Sequence, residues 1–350
     1  MRKIVHNMVR KENDVSKAAA LERVPIVDIA PFLGGSEAER RAVAAIVDRT
    51  NRDIGFLVIT GHGFDLDLLS RWFEVSRRFF EGPGAIKRAV MPAAPTIHEG
   101  YHGQGLSGLA AKEGEEAPPD LREYFMIGQV DRDDPLFETE AARAFHHDNL
   151  WPSEPEAFEA LGTAYYRAIS KLGADLMRLF ALALELPETW FDDKIDHHFS
   201  IVSSIYYPAQ QTPPLPGQLR AGAHTDYGSL TILAPTDAPG GLQVRTLAGD
   251  WVDVPYVPGA FVINIGDMMQ RWTNDRWLSN MHRVVNPPST VASTSPRQSV
   301  AFFLHPNHDA VIECIPTCVE PDEAPRHAPI LAGAYMMEKE AAIATATARK

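Results

Sequence analysis

The sequence is poor in cysteine, and its basic residues are outnumbered by acidic ones. Its 350 residues include only two cysteines, Cys314 and Cys318. A disulfide-rich scaffold is therefore excluded, and a zinc site would need further ligands. We expect two reduced thiols in a cytoplasmic protein. Lysine and arginine number 33 against 46 aspartates and glutamates, which gives a formal net charge of -13. Such a chain repels phosphate backbones, so we expect no nucleic-acid partner.

The sequence also lacks a long hydrophobic run. The longest apolar stretch, residues 176–186, contains Arg178 and Glu185 and is too short to cross a bilayer. Residues 1–22 are polar and partly basic, without the apolar centre of a signal peptide. We therefore expect no membrane partner. The remaining composition, 45% hydrophobic and 23% charged, is ordinary for a globular enzyme.

The first half of the chain predicts alternating strands and helices. Short apolar runs predict strands at residues 24–29 and 55–60. Helical periodicity predicts helices at residues 36–51, 66–81 and 156–186. Ser36 with Glu39 three residues later is typical of a capping box at a helix N-terminus. Residues 92–119 are rich in glycine, proline and small side chains, which predicts a long loop.

The second half predicts an antiparallel β structure. Its apolar runs are short and are separated by glycine and proline turns, a pattern typical of a sandwich or barrel-like double sheet. Strands are predicted at residues 200–207, 229–233, 242–246, 251–254, 260–265 and 298–304.

Three side chains of this half form a candidate metal site. His224 and Asp226 are two residues apart, so on a strand both point to one face, and His282 follows on a separate strand. Two imidazoles and one carboxylate suit a non-haem Fe(II) centre, which leaves coordination positions open on the opposite side. A lone His-x-Asp is common by chance, and any of the 13 histidines could equally be a surface or core imidazole. The nearby Asn-Ile-Gly-Asp segment, residues 264–267, we interpret as a turn.

Arg297 and Ser299 share one face of a predicted strand whose continuation, residues 300–304, is apolar. A buried arginine needs an anionic partner, and a guanidinium beside a hydroxyl suits a carboxylate. Tyr206 and Tyr207 end another predicted strand, so one of them should face inward. Its hydroxyl could bind the same anion, or its ring could simply pack in the core.

In their order, these motifs resemble those of the Fe(II)/2-oxoglutarate-dependent oxygenases of the isopenicillin N synthase-like family. The resemblance covers residues 24–307, and the ordered set is specific although no single motif is. The N-terminal part of the match includes Gly55-Phe56 and Gly61-His62-Gly63. The other matching segments are residues 206–208, 224–233, 240–244, 264–267, 282–284 and 297–303.

The resemblance implies a mainly β fold with flanking helices, in which a double-stranded β-helix (jelly-roll) core follows a mixed α/β N-terminal region. The implied organisation has five parts along the chain. They are a flexible lead-in (1–23), an N-terminal dioxygenase-type region (24–145), a helical connection (146–198), the Fe(II)/2-oxoglutarate jelly-roll core (199–310) and a C-terminal segment packing near the active site (311–350).

The resemblance also implies an activity and the residues that carry it. Oxidative decarboxylation of 2-oxoglutarate, with Fe(II) and O2, would be coupled to hydroxylation, desaturation or cyclisation of a small organic molecule. Three residues would bind Fe(II) as the catalytic centre: His224, Asp226 and His282. Three others would hold the distal carboxylate of 2-oxoglutarate: Arg297, Ser299 and Tyr207.

The sequence departs from the family pattern at two places. Ile205 stands where the family often has asparagine, which removes one polar contact near the co-substrate. Residues 274–277 read Asn-Asp-Arg-Trp where an Asn-Gly-Arg-Tyr turn is common. The family implies that residues 101–117 and 272–277 are walls of the substrate pocket. Arg122 could bind a substrate carboxylate there or be a solvated surface residue.

Three other functions stay open at the level of the sequence. One is an iron oxidase of the same fold that does not use 2-oxoglutarate. It is disfavoured because no glutamine follows Gln298, whereas the type member of the family has a glutamine near its C-terminus that ligates the resting iron. The others are a non-catalytic ligand-binding protein on this scaffold and a zinc hydrolase with the same three ligands. Oligomeric state is left open.

Overall fold

A computed structural model describes residues 23–94, 96–105 and 118–348, with side chains to residue 342. The strands within these residues are β1 Ile26–Asp28, β2 Phe56–Thr60, β3 Gly100–His102, β4 Glu123–Ile127, β5 Ile201–Tyr207, β6 Ala221–His224, β7 Leu230–Pro235, β8 Leu242–Arg245, β9 Trp251–Asp253, β10 Phe261–Ile265, β11 His282–Val284, β12 Arg297–Leu304, β13 Val311–Ile312 and β14 Ile330–Leu331.

The helices are α1 Ala30–Gly34, α2 Glu37–Asp53, α3 Leu66–Phe80, α4 Gly84–Ala89, α5 Glu140–Arg143, α6 Phe158–Ala183, α7 Asp267–Trp272 and α8 Ala332–Ala348. Short 3-10 turns lie at Pro135–Glu138, Asp192–Lys194, Ala292–Thr294 and Pro316–Cys318. Within the same residues, none of the helices combines the length and the apolar character that a membrane crossing requires.

Two β-sheets form the centre of the fold. The larger sheet has the strand order β1-β2-β10-β7-β12-β5-β4-β3, and the smaller has the order β6-β11-β8-β9. All their pairings are antiparallel except that of β1 with β2. The predicted mainly β fold with a jelly-roll core and flanking helices is confirmed.

The larger sheet has two faces with different partners. Successive residues of a strand point to opposite sides, and β10 illustrates the division. Phe261 and Ile263 belong to an outer apolar cluster that includes the helices α3 and α6. Val262, between them, belongs to an inner cluster with residues of the smaller sheet, such as Val244 of β8. The side of the larger sheet that carries Val262 therefore faces the smaller sheet, and the gap between the two sheets is the inner space of the fold.

Local sequence explains most of the element boundaries. Ser36 accepts a hydrogen bond from the backbone of Glu39, and the Glu39 carboxylate accepts one from the Ser36 backbone, so the predicted capping box begins α2. The long loop predicted over residues 92–119 is wrong at residues 100–102. They form β3, because Tyr101 is buried and the segment pairs with β4. Residues 95 and 106–117 of that loop lie outside the described residues, as do residues 1–22 of the predicted lead-in.

The turn at residues 272–277, which we expected to line the pocket, packs elsewhere. Trp272 and Trp277 are fully buried in the outer cluster. The Trp277 indole donates a hydrogen bond of 2.8 Å to Asp48 on α2. The turn therefore holds helices together and leaves the inner space to other residues. Cys314 and Cys318 carry free thiols, as predicted.

The outer cluster depends on Phe158 at the start of α6. Its ring is fully buried and lies 5.0 Å from Trp72, 5.1 Å from Phe79 and 4.9 Å from Phe125, measured between centroids. We expect Phe158→Ala to lower the free energy of unfolding by about 3–5 kcal/mol, because it leaves a cavity between helix and sheet. Denaturant titration measures this. The exposed Leu66 is the control, and a loss no larger than that of Leu66→Ala would contradict the prediction.

Candidate metal centre

The pairing of β6 with β11 brings two imidazoles together. His224 and His282 are directly opposite in the register of this antiparallel pair. Their ring centroids are 4.2 Å apart. His282 is buried, and the side chain of His224 is 12% exposed. The backbone pairing alone therefore holds the two rings beside each other.

Asp226 completes the group from the loop that follows β6. Its Oδ2 accepts hydrogen bonds from the Thr231 hydroxyl at 2.5 Å and from the Asn264 amide at 2.7 Å. Its Oδ1 lies 3.7 Å from Nε2 of each histidine, His224 and His282. One carboxylate oxygen is therefore used by the protein, and the other faces the two imidazoles.

The tautomers of both histidines suit metal binding. Nδ1 of His224 lies 2.8 Å from the Gly222 carbonyl, and Nδ1 of His282 lies 3.2 Å from the Asn280 carbonyl. A carbonyl can only accept, so each Nδ1 carries the proton and each Nε2 presents a lone pair. The three ligand atoms lie within 4.8 Å of one another. This donor set fits a divalent ion with open coordination positions.

Burial and mutual proximity set the charges of this group. Burial lowers the pKa of His224 well below its ordinary value, and the neighbouring His282 and Arg122 act in the same direction. Burial would raise the pKa of Asp226, but the two histidines and the hydrogen bonds from Asn264 and Thr231 outweigh it and lower that pKa. A neutral His224 ring beside an ionised Asp226 carboxylate is the combination of protonation states that metal binding requires.

Arg297 and Ser299 lie on the inner face of β12, as their spacing predicted. Both are buried, and Nη1 of Arg297 is 3.4 Å from the Ser299 hydroxyl. The guanidinium carbon lies 5.1 Å from the ring centroid of Tyr207, which is opposite Arg297 in the β12–β5 register. Burial lowers the pKa of Arg297, but an arginine stays charged even so. Tyr206 points to the other face, where its hydroxyl donates to Glu81.

A second buried arginine, which the sequence analysis missed, lies beside this pair. Arg220 is fully buried, and its guanidinium donates to the carbonyls of Pro239, at 2.7 Å, and Ser295. Burial lowers the pKa of Arg220 to about 10, and the positive charge of Arg297 contributes to that shift. Two cations close to the ring of Tyr207 make this end of the inner space electropositive.

Two hydrogen-bond donors to Asp226 were also missed. Thr231 on β7 and Asn264 on β10 are directly opposite each other in the larger sheet. The sequence predicts a turn at residues 264–267, and the chain does leave β10 there for α7. The Asn264 side chain nevertheless orients the carboxylate. Only the register of two strands far apart in sequence shows that these side chains meet.

Two glycines allow the Asp226 loop to lie close to α7. The amide of Asp267 donates to the Asp226 carbonyl at 2.8 Å, so the helix N-terminus holds this loop by its backbone. A Cβ added at Gly266 would lie 2.2 Å from the Gly228 carbonyl oxygen, and one at Gly228 would lie 2.8 Å from the His305 ring. Neither position has room for a side chain without movement of the loop.

Two protein-family models match the chain. The model described as the 2OG-Fe(II) oxygenase superfamily matches residues 198–306. The model described as the non-haem dioxygenase in morphine synthesis N-terminal matches residues 24–154.

Curated relatives are similar over most of their length. A 2-oxoglutarate-Fe(II) type oxidoreductase of Emericella nidulans is 32% identical over 311 residues, which are 87% of this chain and 86% of that protein. A homoarginine-6-hydroxylase of Glycine max is 33% identical over 315 residues, with 86% and 90% covered.

Solved structures agree with this comparison. A full-length Neurospora crassa protein, crystallised in complex with alpha-KG, has a TM-score of 0.80 and 30% identity, with 91% of this chain and 96% of that chain covered. A 2OG-Fe(II) oxygenase family protein of Caulobacter crescentus has a TM-score of 0.78 and 26% identity, with 91% and 99% covered.

Gly266→Ala tests whether the close contact with Gly228 positions Asp226. We expect Fe(II) affinity to fall about 10-fold or more, because the loop must move and outer contacts of a metal ligand have effects of that size. Iron content after dialysis against limiting Fe(II) measures it. Gly34→Ala is the control, since a Cβ there meets no atom within 4 Å. Equal iron content in both variants would rule out this positioning role.

Proposed function

The chain belongs to the 2OG-Fe(II) oxygenase superfamily, and from this premise we propose that His224, Asp226 and His282 hold its Fe(II). The protein is an enzyme that uses Fe(II), 2-oxoglutarate and O2 and acts on a small molecule. The observation that carries the assignment is that the two carboxylate oxygens of Asp226 have different partners. One oxygen is held by Thr231 and Asn264, and the other faces both imidazoles.

Bound iron supplies O2 activation coupled to oxidative decarboxylation of 2-oxoglutarate. The chain itself supplies orientation. The Gly222 and Asn280 carbonyls keep the protons of the two imidazoles on Nδ1, so that Nε2 stays available. Phe56 packs edge-on against His282 at 5.3 Å and, being fully buried, helps to exclude water from that side. A dry surrounding protects reactive species from side reactions.

We assign the distal carboxylate of 2-oxoglutarate to Arg297, with Ser299 and Tyr207 beside it. Arg297 is buried, its hydrogen bond to Ser299 is long, and the Tyr207 side chain is also in contact with it. A guanidinium has five N–H donors, so Arg297 has donors to spare for an anion. The neighbouring charge of Arg220 strengthens the attraction for a dianionic co-substrate. Ile205, where the family often has asparagine, faces the same space but cannot donate a hydrogen bond from its side chain. The side-chain donors for the distal carboxylate are therefore the Arg297 guanidinium and the hydroxyls of Ser299 and Tyr207.

For the primary substrate we propose hydroxylation of a carbon atom. The support comes from the homoarginine-6-hydroxylases of Glycine max and Arabidopsis thaliana, each 33% identical to this chain. Anaerobic binding of Fe(II) and 2-oxoglutarate, followed by succinate release per O2 consumed in the presence of candidate substrates, tests the reaction. Oxygen consumption without succinate would refute it.

Asp226→Ala should abolish succinate formation while the protein stays folded. The change removes the only carboxylate of the triad, so the site binds Fe(II) more weakly and carries excess positive charge. Succinate release, iron content and circular dichroism are the measurements. Asp237, an exposed aspartate, provides the matched control variant Asp237→Ala. Succinate formation by Asp226→Ala at the wild-type rate would show that the iron is bound elsewhere.

Arg297→Gln should weaken 2-oxoglutarate binding about 10- to 100-fold, since a hydrogen-bonded charge pair contributes about 1.5–3 kcal/mol. Iron binding should be unchanged, because Arg297 does not touch the triad. Anaerobic calorimetric titration of the Fe(II)-loaded protein measures the affinity. Arg71→Gln, at a side chain that is 59% exposed, is the control. An unchanged dissociation constant would remove Arg297 from the co-substrate site.

A further inference from the structure

A third arginine faces the inner space at its β3–β4 edge. Arg122 immediately precedes β4, and its guanidinium carbon lies 5.0 Å from the ring centroid of Tyr124. Tyr124 packs against the inner cluster, whereas its neighbour Phe125 belongs to the outer one. The Arg122 side chain is therefore on the inner side of the larger sheet, together with His102, whose ring stacks on Tyr124 at 4.6 Å.

The backbone beside Arg122 is bound to the strand that carries the first metal ligand. The Leu121 amide donates to the Leu219 carbonyl at 3.0 Å, and the Gly222 amide donates to Oδ1 of Asp120 at 2.9 Å. Gly222 is two residues before His224 on β6. These contacts place Arg122 next to the metal centre.

The guanidinium nitrogens of Arg122 lack hydrogen-bond acceptors among the described residues. Nε is 3.4 Å from Oδ2 of Asp120, an ion pair without a hydrogen bond, and the side chain is only 11% exposed. Among the residues that the structure describes, no hydrogen-bond acceptor meets its two terminal nitrogens. Other enclosed arginines differ in this respect. Arg220 donates to two carbonyls, and Arg276 donates twice to Asp48.

A guanidinium has two edges that can bind a carboxylate. Asp120 lies at the Nε edge, which leaves the end formed by the two Nη atoms for a second anion in a two-point contact. A cation removed from water without full hydrogen bonding is unfavourable, so an anionic ligand at this end would complete its coordination. Arg297 already accounts for the distal carboxylate of 2-oxoglutarate in the proposed function.

We propose that Arg122 binds a carboxylate of the primary substrate, so that the substrate is a small organic acid held between Arg122 and the metal centre. This assignment rests on the proposed function, which gives the other carboxylate-binding arginine, Arg297, to the co-substrate. The stacked rings of Tyr124 and His102 form a flat wall beside the guanidinium. Arg122 is thus proposed as a specificity-determining residue beside the metal centre.

The test compares acids with their uncharged analogues on the enzyme loaded with Fe(II) and 2-oxoglutarate without O2. The probes are a panel of aliphatic and aromatic monocarboxylic acids, each paired with its primary amide, and binding is measured by calorimetry. We expect acids of suitable shape to bind about 10- to 100-fold more tightly than their amides. Arg122→Gln should abolish that preference. Arg122→Lys should retain part of it, because it keeps the charge without the fork.

Arg41→Gln, on the surface of α2 and 66% exposed, is the control for loss of one positive charge. The proposal is overturned if no acid in the panel binds the wild type better than its amide. It is also overturned if a folded Arg122→Gln variant keeps the preference, and a simultaneous loss of 2-oxoglutarate affinity would assign Arg122 to the co-substrate. If Arg122→Gln is misfolded by circular dichroism, Arg122→Lys decides: an undiminished preference in this variant refutes the two-point contact.

Failure of the proposed function gives a different result. An enzyme that binds Fe(II) but releases no succinate with any substrate would contradict the oxygenase reaction. The comparison of acid with amide is made without turnover and would still decide the role of Arg122.

Discussion

The antiparallel pairing of β6 with β11 is the contact on which the whole centre depends. It places His224 opposite His282, and a slip of one residue would turn one of the imidazoles to the other face of the sheet. β6 is only four residues long and forms an edge of the smaller sheet. A strand so short needs support on its free side. The carboxylate of Asp120 gives that support by accepting the Gly222 amide, which joins the edge strand to the larger sheet just ahead of β4.

Asp226 couples the two sheets a second time. It follows β6 of the smaller sheet, but the groups that hold its Oδ2 come from β7 and β10 of the larger one. A buried carboxylate is unfavourable unless it is hydrogen-bonded and near positive charge. Here the hydrogen bonds come from Thr231 and Asn264, and a metal ion would add the charge. Iron binding and the packing of sheet on sheet are therefore linked, so iron should also stabilise the fold.

Local spacing predicted the residues that act in pairs on one strand, and it failed where two distant strands meet. His224 with Asp226, and Arg297 with Ser299, were recognisable because strand residues two apart share a face. Thr231, Asn264 and Arg220 were missed because their roles depend on register and on burial between sheets. The same limit explains the tryptophans at 272 and 277, whose burial in the outer cluster follows from tertiary packing. Edge strand β3 was missed because its pairing with β4, and not its glycine-rich composition, makes it a strand.

Local charge in the inner space is opposite in sign to that of the whole chain. The formal net charge is -13, yet three arginines, Arg122, Arg220 and Arg297, point into or border the space between the sheets. At short range and low dielectric, such fixed charges outweigh distant surface carboxylates that are screened by salt. The Arg220 guanidinium donates to two backbone carbonyls, so it attracts an anion through its charge alone. Arg297 and Arg122 have N–H groups that can also donate hydrogen bonds to a ligand. Both lie at one end of the larger sheet, because Arg297 is opposite Tyr207 in the β12–β5 register and Arg122 precedes β4 on the other side of β5. Two guanidinium groups on strands that flank β5 can hold two carboxylates near each other, one of the co-substrate and one of an acidic substrate.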